Sequence, residues 1–189
     1  MKRLVTRFGC LLLVGLLAGC AAPKGDSAQA KRSSVQQMKS ETLTRLYKEA
    51  PEARQKVAGA PGYAVFSSIN TNLLLLSSAS GYGVCVDRAS GRNSYMKMMQ
   101  LGVGPGLGIK DYRVVFIFKN RETLKQFVDK GWEFGGHADA AAKSGEKGDA
   151  VGGQASFERQ MEIYTLTEAG VALQATLAGT KYWLDKDLN

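Results

Sequence analysis

The chain of 189 residues has one histidine, His137, and three cysteines, Cys10, Cys20 and Cys85. That scarcity closes off much chemistry. A zinc site needs three or four ligands, mostly His or Cys, so no metal is expected. No Gly-x-Ser-x-Gly elbow is present, and a single histidine leaves little material for a Ser-His-Asp triad. Asp87 with Asp111, or Glu158 with Glu162, are carboxylate pairs, but no spacing selects either for acid and base work. Cys85 stands in Gly83-Val84-Cys85-Val86, without the neighbouring base that a catalytic thiol requires. It reads as a small buried apolar residue. We expect neither an enzyme nor a cofactor.

The chain also lacks an apolar run of about 20 residues, the length a membrane-spanning helix needs. Its nearest candidate, Phe8 to Gly19, is too short. That run follows Lys2, Arg3 and Arg7 and ends in small residues, the layout of a secretory signal. Leu17-Ala18-Gly19-Cys20 resembles the bacterial lipobox. The resemblance implies cleavage before Cys20, diacylation of its sulfur and acylation of its new amino group by palmitate-type chains. Two or more such chains anchor a protein stably. Ala21, the residue after the cysteine, favours sorting to the outer membrane by the same resemblance, where the domain would face the periplasm or the exterior.

Positive charge is in excess, with a formal net charge of +8. Lys2, Arg3 and Arg7 belong to the leader, and without them the remainder carries +5. A modest positive charge suits an anionic phospholipid surface. Nucleic acid is not an expected partner, because the basic residues are scattered rather than clustered. Residues 20–189 suffice for one domain with one substantial core.

Ala21 to Ser34 is rich in Ala, Ser, Lys, Gly and Gln. It reads as a flexible tether over 20–34, holding the domain off the membrane. From there Val35, Met38, Thr42 and Leu46, with Leu43 and Tyr47, recur at helical spacing. Pro51 ends this helix, and Pro51-Glu52-Ala53-Arg54 opens a second. Strands are expected at Tyr63–Ser67, Leu73–Leu76, Tyr82–Asp87, Ser94–Leu101, Val114–Phe118, Ala155–Ile163, Val171–Leu177 and Lys181–Leu184. Between them, Asn120 and Gly131 bracket a helix over 121–130, and 138–143 is a possible short helix. The fold class is α+β: N-terminal helices, then a largely antiparallel sheet with one further helix.

Gly102-Val103-Gly104-Pro105-Gly106-Leu107-Gly108 invites a nucleotide-binding reading. The sixth position from Gly102, Gly104 or Gly106 is never glycine, and a strand follows rather than a helix, so the dinucleotide fingerprint is not met. Glycines alternating between strands fit bends and close backbone packing instead.

Pro61-Gly62-Tyr63-Ala64-Val65-Phe66, Gly81-Tyr82-Gly83-Val84 and the Gly102–Gly108 run, in that order, resemble the successive motifs of the SYLF domain. The likeness continues through Leu124, Phe127, Gly131-Trp132, Tyr164, Thr167 and Gly170, and covers about residues 35–189. Tyr95-Met96-Lys97-Met98 and Gly179-Thr180-Lys181-Tyr182-Trp183 resemble the bacterial lipoprotein branch. The resemblance implies a lipid-binding module. Eukaryotic members bind phosphoinositides, and some bind actin. It also implies membrane contact through the N-terminal helix, here with Lys39, Arg45, Lys48, Arg54 and Lys56 facing phosphates. Structural roles fall to Gly62, Gly81, Gly83, Gly102, Gly104, Gly106 and Gly108. The alternative is an interaction lipoprotein whose domain binds another envelope protein.

Overall fold

The computed structural model describes residues 22–73, 76–103, 112–134, 160–168, 170–173 and 179–189. The readings made for the leader, Cys20, His137, the stretch 138–159, and Gly104, Gly106 and Gly108 lie outside these residues. No described helix is long and apolar enough to cross a membrane.

Two helices come first. Helix α1 (Ala28–Glu49) starts where the Ser27 hydroxyl accepts the Ala30 N–H. That cap, followed by the good helix formers Ala28-Gln29-Ala30-Lys31, begins the helix six residues before Ser34. Half of the stretch read as a tether is therefore helical. Val35, Met38, Thr42 and Leu46 form the buried stripe of α1. Its one polar member is satisfied, because Thr42 Oγ1 donates to the Met38 carbonyl at 2.7 Å. The helix stops two residues before Pro51. Helix α2 (Glu52–Gly59) then places Glu52 in its first turn, where the helix dipole favours a negative charge, and buries Ala53 and Val57.

The strands are β1 (Gly62–Leu73), β2 (Leu76–Asp87), β3 (Asn93–Val103), β4 (Tyr112–Phe118), β5 (Trp132–Phe134), β6 (Met161–Thr167), β7 (Gly170–Leu173) and β8 (Thr180–Leu184). They form one antiparallel sheet in the order β5-β8-β3-β2-β1-β4-β6-β7. The apolar run Leu73–Leu76 is not a strand of its own. Leu73 and Leu76 pair with each other where β1 ends and β2 begins. The turn after β2 is built from Asp87, whose Oδ1 accepts the Ala89 and Ser90 N–H groups, and from Gly91 at φ 68°. Helix α3 (Arg121–Lys130) is capped by Asn120 Oδ1 on the Thr123 N–H at 2.8 Å and stopped by Gly131 at φ 72°.

The sheet is strongly curled. Strand β8 lies three places from β1 and four from β4, which in a flat sheet means about 14 and 19 Å. Yet the Tyr182 ring of β8 sits 4.7 Å from Phe66 of β1 and 5.2 Å from Phe116 of β4. Only a sheet rolled toward this side brings them together. Phe127 of α3 plugs the hollow, 5.6 Å from Tyr182 and 5.3 Å from Phe116. Ala64, Cys85, Met96, Met98, Val114 and Leu124 complete this inner core. The outer face buries Val65, Val84, Val115, Ile117, Tyr164 and Leu166 under α1 and α2.

The roll depends on two backbone positions without side chains. Gly83 is paired with Phe66, and Gly81 with Ser68. A Cβ on Gly83 would overlap the Phe66 ring and the Val65 carbonyl oxygen, and one on Gly81 would overlap the Ser67 carbonyl oxygen. Gly62 lies against Leu124 in the same way, and Gly102 sits in β3 opposite Ser77.

Gly83→Val is expected to cost about 3 kcal/mol or more, at or beyond the top of the usual overpacking range, because backbone as well as a ring must move. Gly59→Ala, at the end of α2 with nothing within 4 Å, is expected to be neutral or to stabilise by up to about 1 kcal/mol. Urea denaturation of both variants checks this, and equal midpoints would refute the crowding argument.

Candidate functional site

The five basic residues singled out in the sequence lie on α1 and α2, but they do not make one patch. On a helix turning about 100° per residue, Lys39 and Arg45 fall on opposite flanks of the buried stripe, about 120° apart. Lys39 is half-buried, and burial holds its ammonium below the ordinary lysine value; its Nζ donates to Gln36 Oε1 at 2.5 Å. Arg45 pairs with Glu49 at 2.6 Å and donates to the Thr167 carbonyl at the end of β6. Arg54 stacks on the Tyr47 ring at 4.8 Å. Lys56 pairs with Glu162 at 2.7 Å and donates to the Tyr164 hydroxyl, bonds that push its ammonium upward. Such part-exposed pairs contribute about 0–1 kcal/mol each, but they take these cations up within the fold. Lys48 alone of the five is exposed with no such partner among the described residues.

The apolar stripe of α1 is likewise spent on the sheet. The helix crosses the outer face as a strap. Its first half reaches β3, where Gln36 donates to the Tyr95 hydroxyl at 3.0 Å; Glu41 pairs with Arg113 of β4; Arg45 ends at β6. The strap is fastened at both ends. At its start, Arg32 Nε donates to the Leu188 carbonyl at 2.9 Å.

Two further clusters could carry chemistry. Cys85 is 1% exposed beneath a cleft of about 110 Å³ lined by Asp87, Arg92, Ser94 and Asp129 among others. Burial and the nearby Asp87 push its thiol far up, away from the thiolate a nucleophile needs. Asp87 itself is occupied by its own turn and by Arg121 at 3.2 Å. Higher in the curl, a polar belt crosses the inner wall. The Tyr112 phenol donates to Gln100 Oε1 at 2.7 Å beside the buried Ser68 and Thr180 hydroxyls. Burial raises the Tyr112 phenol, and those two hydroxyls partly offset it. No cluster of three metal-binding side chains forms among the described residues.

Two attachments had no counterpart in the sequence reading. Pro23 is buried, and the Lys24 N–H donates to Ser34 Oγ at 3.2 Å, so the chain before α1 runs back along the helix. At the other end of the sequence, the Asn189 side chain accepts the Tyr95 N–H at 2.9 Å and donates to the Tyr95 carbonyl at 2.7 Å. One amide thus imitates a strand residue on the edge of β3. Pro23 with the small and polar residues around it, and the amide of Asn189, were the available signals, and neither is specific.

The chain matches a family model described as Las17-binding protein actin regulator over residues 99–189, which take in the end of β3, β4 through β8 and α3. It is also 35% identical over 162 residues to Beta cell expansion factor A of Aeromonas veronii, a SYLF protein. The chain belongs to the SYLF family. The match takes in 86% of this chain and 60% of that relative, so the chain spans about three fifths of the relative's length. SYLF is a family of binding domains rather than of known enzymes.

Cys85 in the folded SYLF domain is expected to resist iodoacetamide at pH 8 and to react at the rate of a free thiol only in denaturant. Mass spectrometry of timed samples reads this, and equal rates in both states would return Cys85 to consideration as a nucleophile.

Proposed function

We propose that this SYLF protein is a non-catalytic, lipid-anchored component of the bacterial cell envelope, held at the outer membrane by acyl chains on Cys20, with a domain that binds a lipid surface. The observation that carries this reading is Leu17-Ala18-Gly19-Cys20 at the end of a short apolar run. Membership of a binding-domain family supports the non-catalytic part. The absence of a single basic patch on α1 and α2 shifts the weight of membrane attachment onto the anchor and onto other surfaces. Each lysine or arginine near an anionic surface contributes about 1 kcal/mol, and most of these are already engaged within the fold.

A second reading is favoured by the family's description, which names a protein partner, Las17, for its members. On that reading the domain grips another envelope protein, and only the acyl chains touch lipid.

Cys20→Ser is expected to shift the protein from the membrane fraction to the soluble or unprocessed fraction, read by cell fractionation. The soluble domain is then offered to phosphatidylethanolamine–phosphatidylglycerol vesicles at low and high salt. Binding supports the lipid reading, with salt sensitivity measuring its electrostatic share. No binding at either salt transfers the case to a protein partner.

A further inference from the structure

We infer that the outer face of β3 and β8, carrying Met99, Lys97, Lys181 and Trp183, lies against the bilayer when the chain is anchored. The inference rests on acylation of Cys20 and adds to it a definite orientation. Three observations carry it.

The first is the length of the leash. Pro23 is buried and Lys24 is bonded to Ser34, and Pro23 is only three residues after Cys20. Three residues span at most about 11 Å whatever their conformation. The start of α1 is therefore held at the membrane surface, and the domain does not stand off on a long tether.

The second is where that point sits on the fold. The beginning of α1 lies beside the segment that follows β8 and beside the start of β3, through Arg32 on Leu188 and Gln36 on Tyr95. Strand β6 is at the far end of the strap. From Arg32 to Arg45, which touches Thr167, the helix alone covers about 20 Å.

The third is the character of the near face. Met96, Met98 and Tyr182 point into the curl, so Lys97, Met99, Lys181 and Trp183 point outward. Lys97 pairs with Trp183, and Met99 with Lys181, across the two strands. Met99 is 43% exposed and is the one large apolar side chain that is exposed among the described residues. Trp183 is part-exposed and Lys181 is exposed. Tryptophan and lysine around an exposed apolar side chain suit the boundary between headgroups and acyl chains. Lys97 is held by Asp185 at 3.0 Å and Asp187 at 3.4 Å, so this face meets lipid through its apolar groups more than through charge.

The test uses the full lipidated chain in phosphatidylethanolamine–phosphatidylglycerol vesicles, a portion of whose lipids are brominated high on the acyl chains. The Trp183 contribution is isolated by difference with Trp183→Phe, and a bimane on Met99→Cys gives an independent reporter should that variant not fold. A bimane on Glu168→Cys marks the far end of the strap. Loss of most of the Trp183 or Met99 signal with the Glu168 signal intact is the expected result. Inserting a long Gly-Ser stretch between Ala22 and Pro23 should restore the lost emission. Equal quenching at both ends, or none near β3 and β8, overturns the inference while an acylated Cys20 in the mass spectrum leaves the anchor standing. An unmodified Cys20 overturns both.

Discussion

The contact on which this fold turns is the meeting of Tyr182 with Phe66 and Phe116 inside the curl. Strands three and four places apart cannot share a ring contact unless the sheet bends sharply, and the bend needs room on its inner wall. Gly81 and Gly83 supply that room, since β2 brings bare backbone to the place where Phe66 lies flat. Phe127 then fills the remaining space from α3. Edge-to-face and tilted ring pairs of this kind add about 0.5–1.5 kcal/mol each beyond their buried area. The glycines and the aromatics form one device: neither works without the other.

Curling the sheet one way has an effect on its other side. The convex face fans out and is too broad for a single short helix. The 22-residue α1 solves this by crossing diagonally from β3 to β6, with α2 folded behind it. Among the described residues, no helix covers the strip of β3 and β8 beyond the strap. The same bend that makes the aromatic core thus sets this strip next to the start of α1. On the orientation proposed above, the lipid-facing surface follows from core geometry and needs no dedicated pocket.

The parts of this architecture legible in the sequence are those set by neighbours in sequence. Asn120 and Gly131 marked both ends of α3, and the β-branched run in β4 had no competing interpretation. The period of Val35, Met38, Thr42 and Leu46 gave the face of α1. What was missed has a long reach. The run Leu73-Leu74-Leu75-Leu76 holds none of the residues that advertise a turn, so nothing in it marked Leu73 and Leu76 as ends of two different, paired strands. The charges of Arg45 and Lys56 were plain, but their partners lie 122 and 106 residues away. No helical periodicity shows that such a cation is already engaged. The early start of α1 was signalled by Ser27, but polar composition outweighed it.

Those distant partners also set an order in time. Helix α1 is among the first pieces of the domain to leave the ribosome, yet its fastenings are Arg113, Thr167 and Leu188. Its apolar stripe has no finished surface to rest on until β4 and β6 exist, and its beginning has none until residues 185–189 arrive. Long separations of this kind slow folding, because loop-closure entropy is lost before the contact forms. The first described helix in the chain is thus the last to be seated, and its apolar side stays uncovered until strands more than 60 residues further on, and then residues 185–189, have joined the fold.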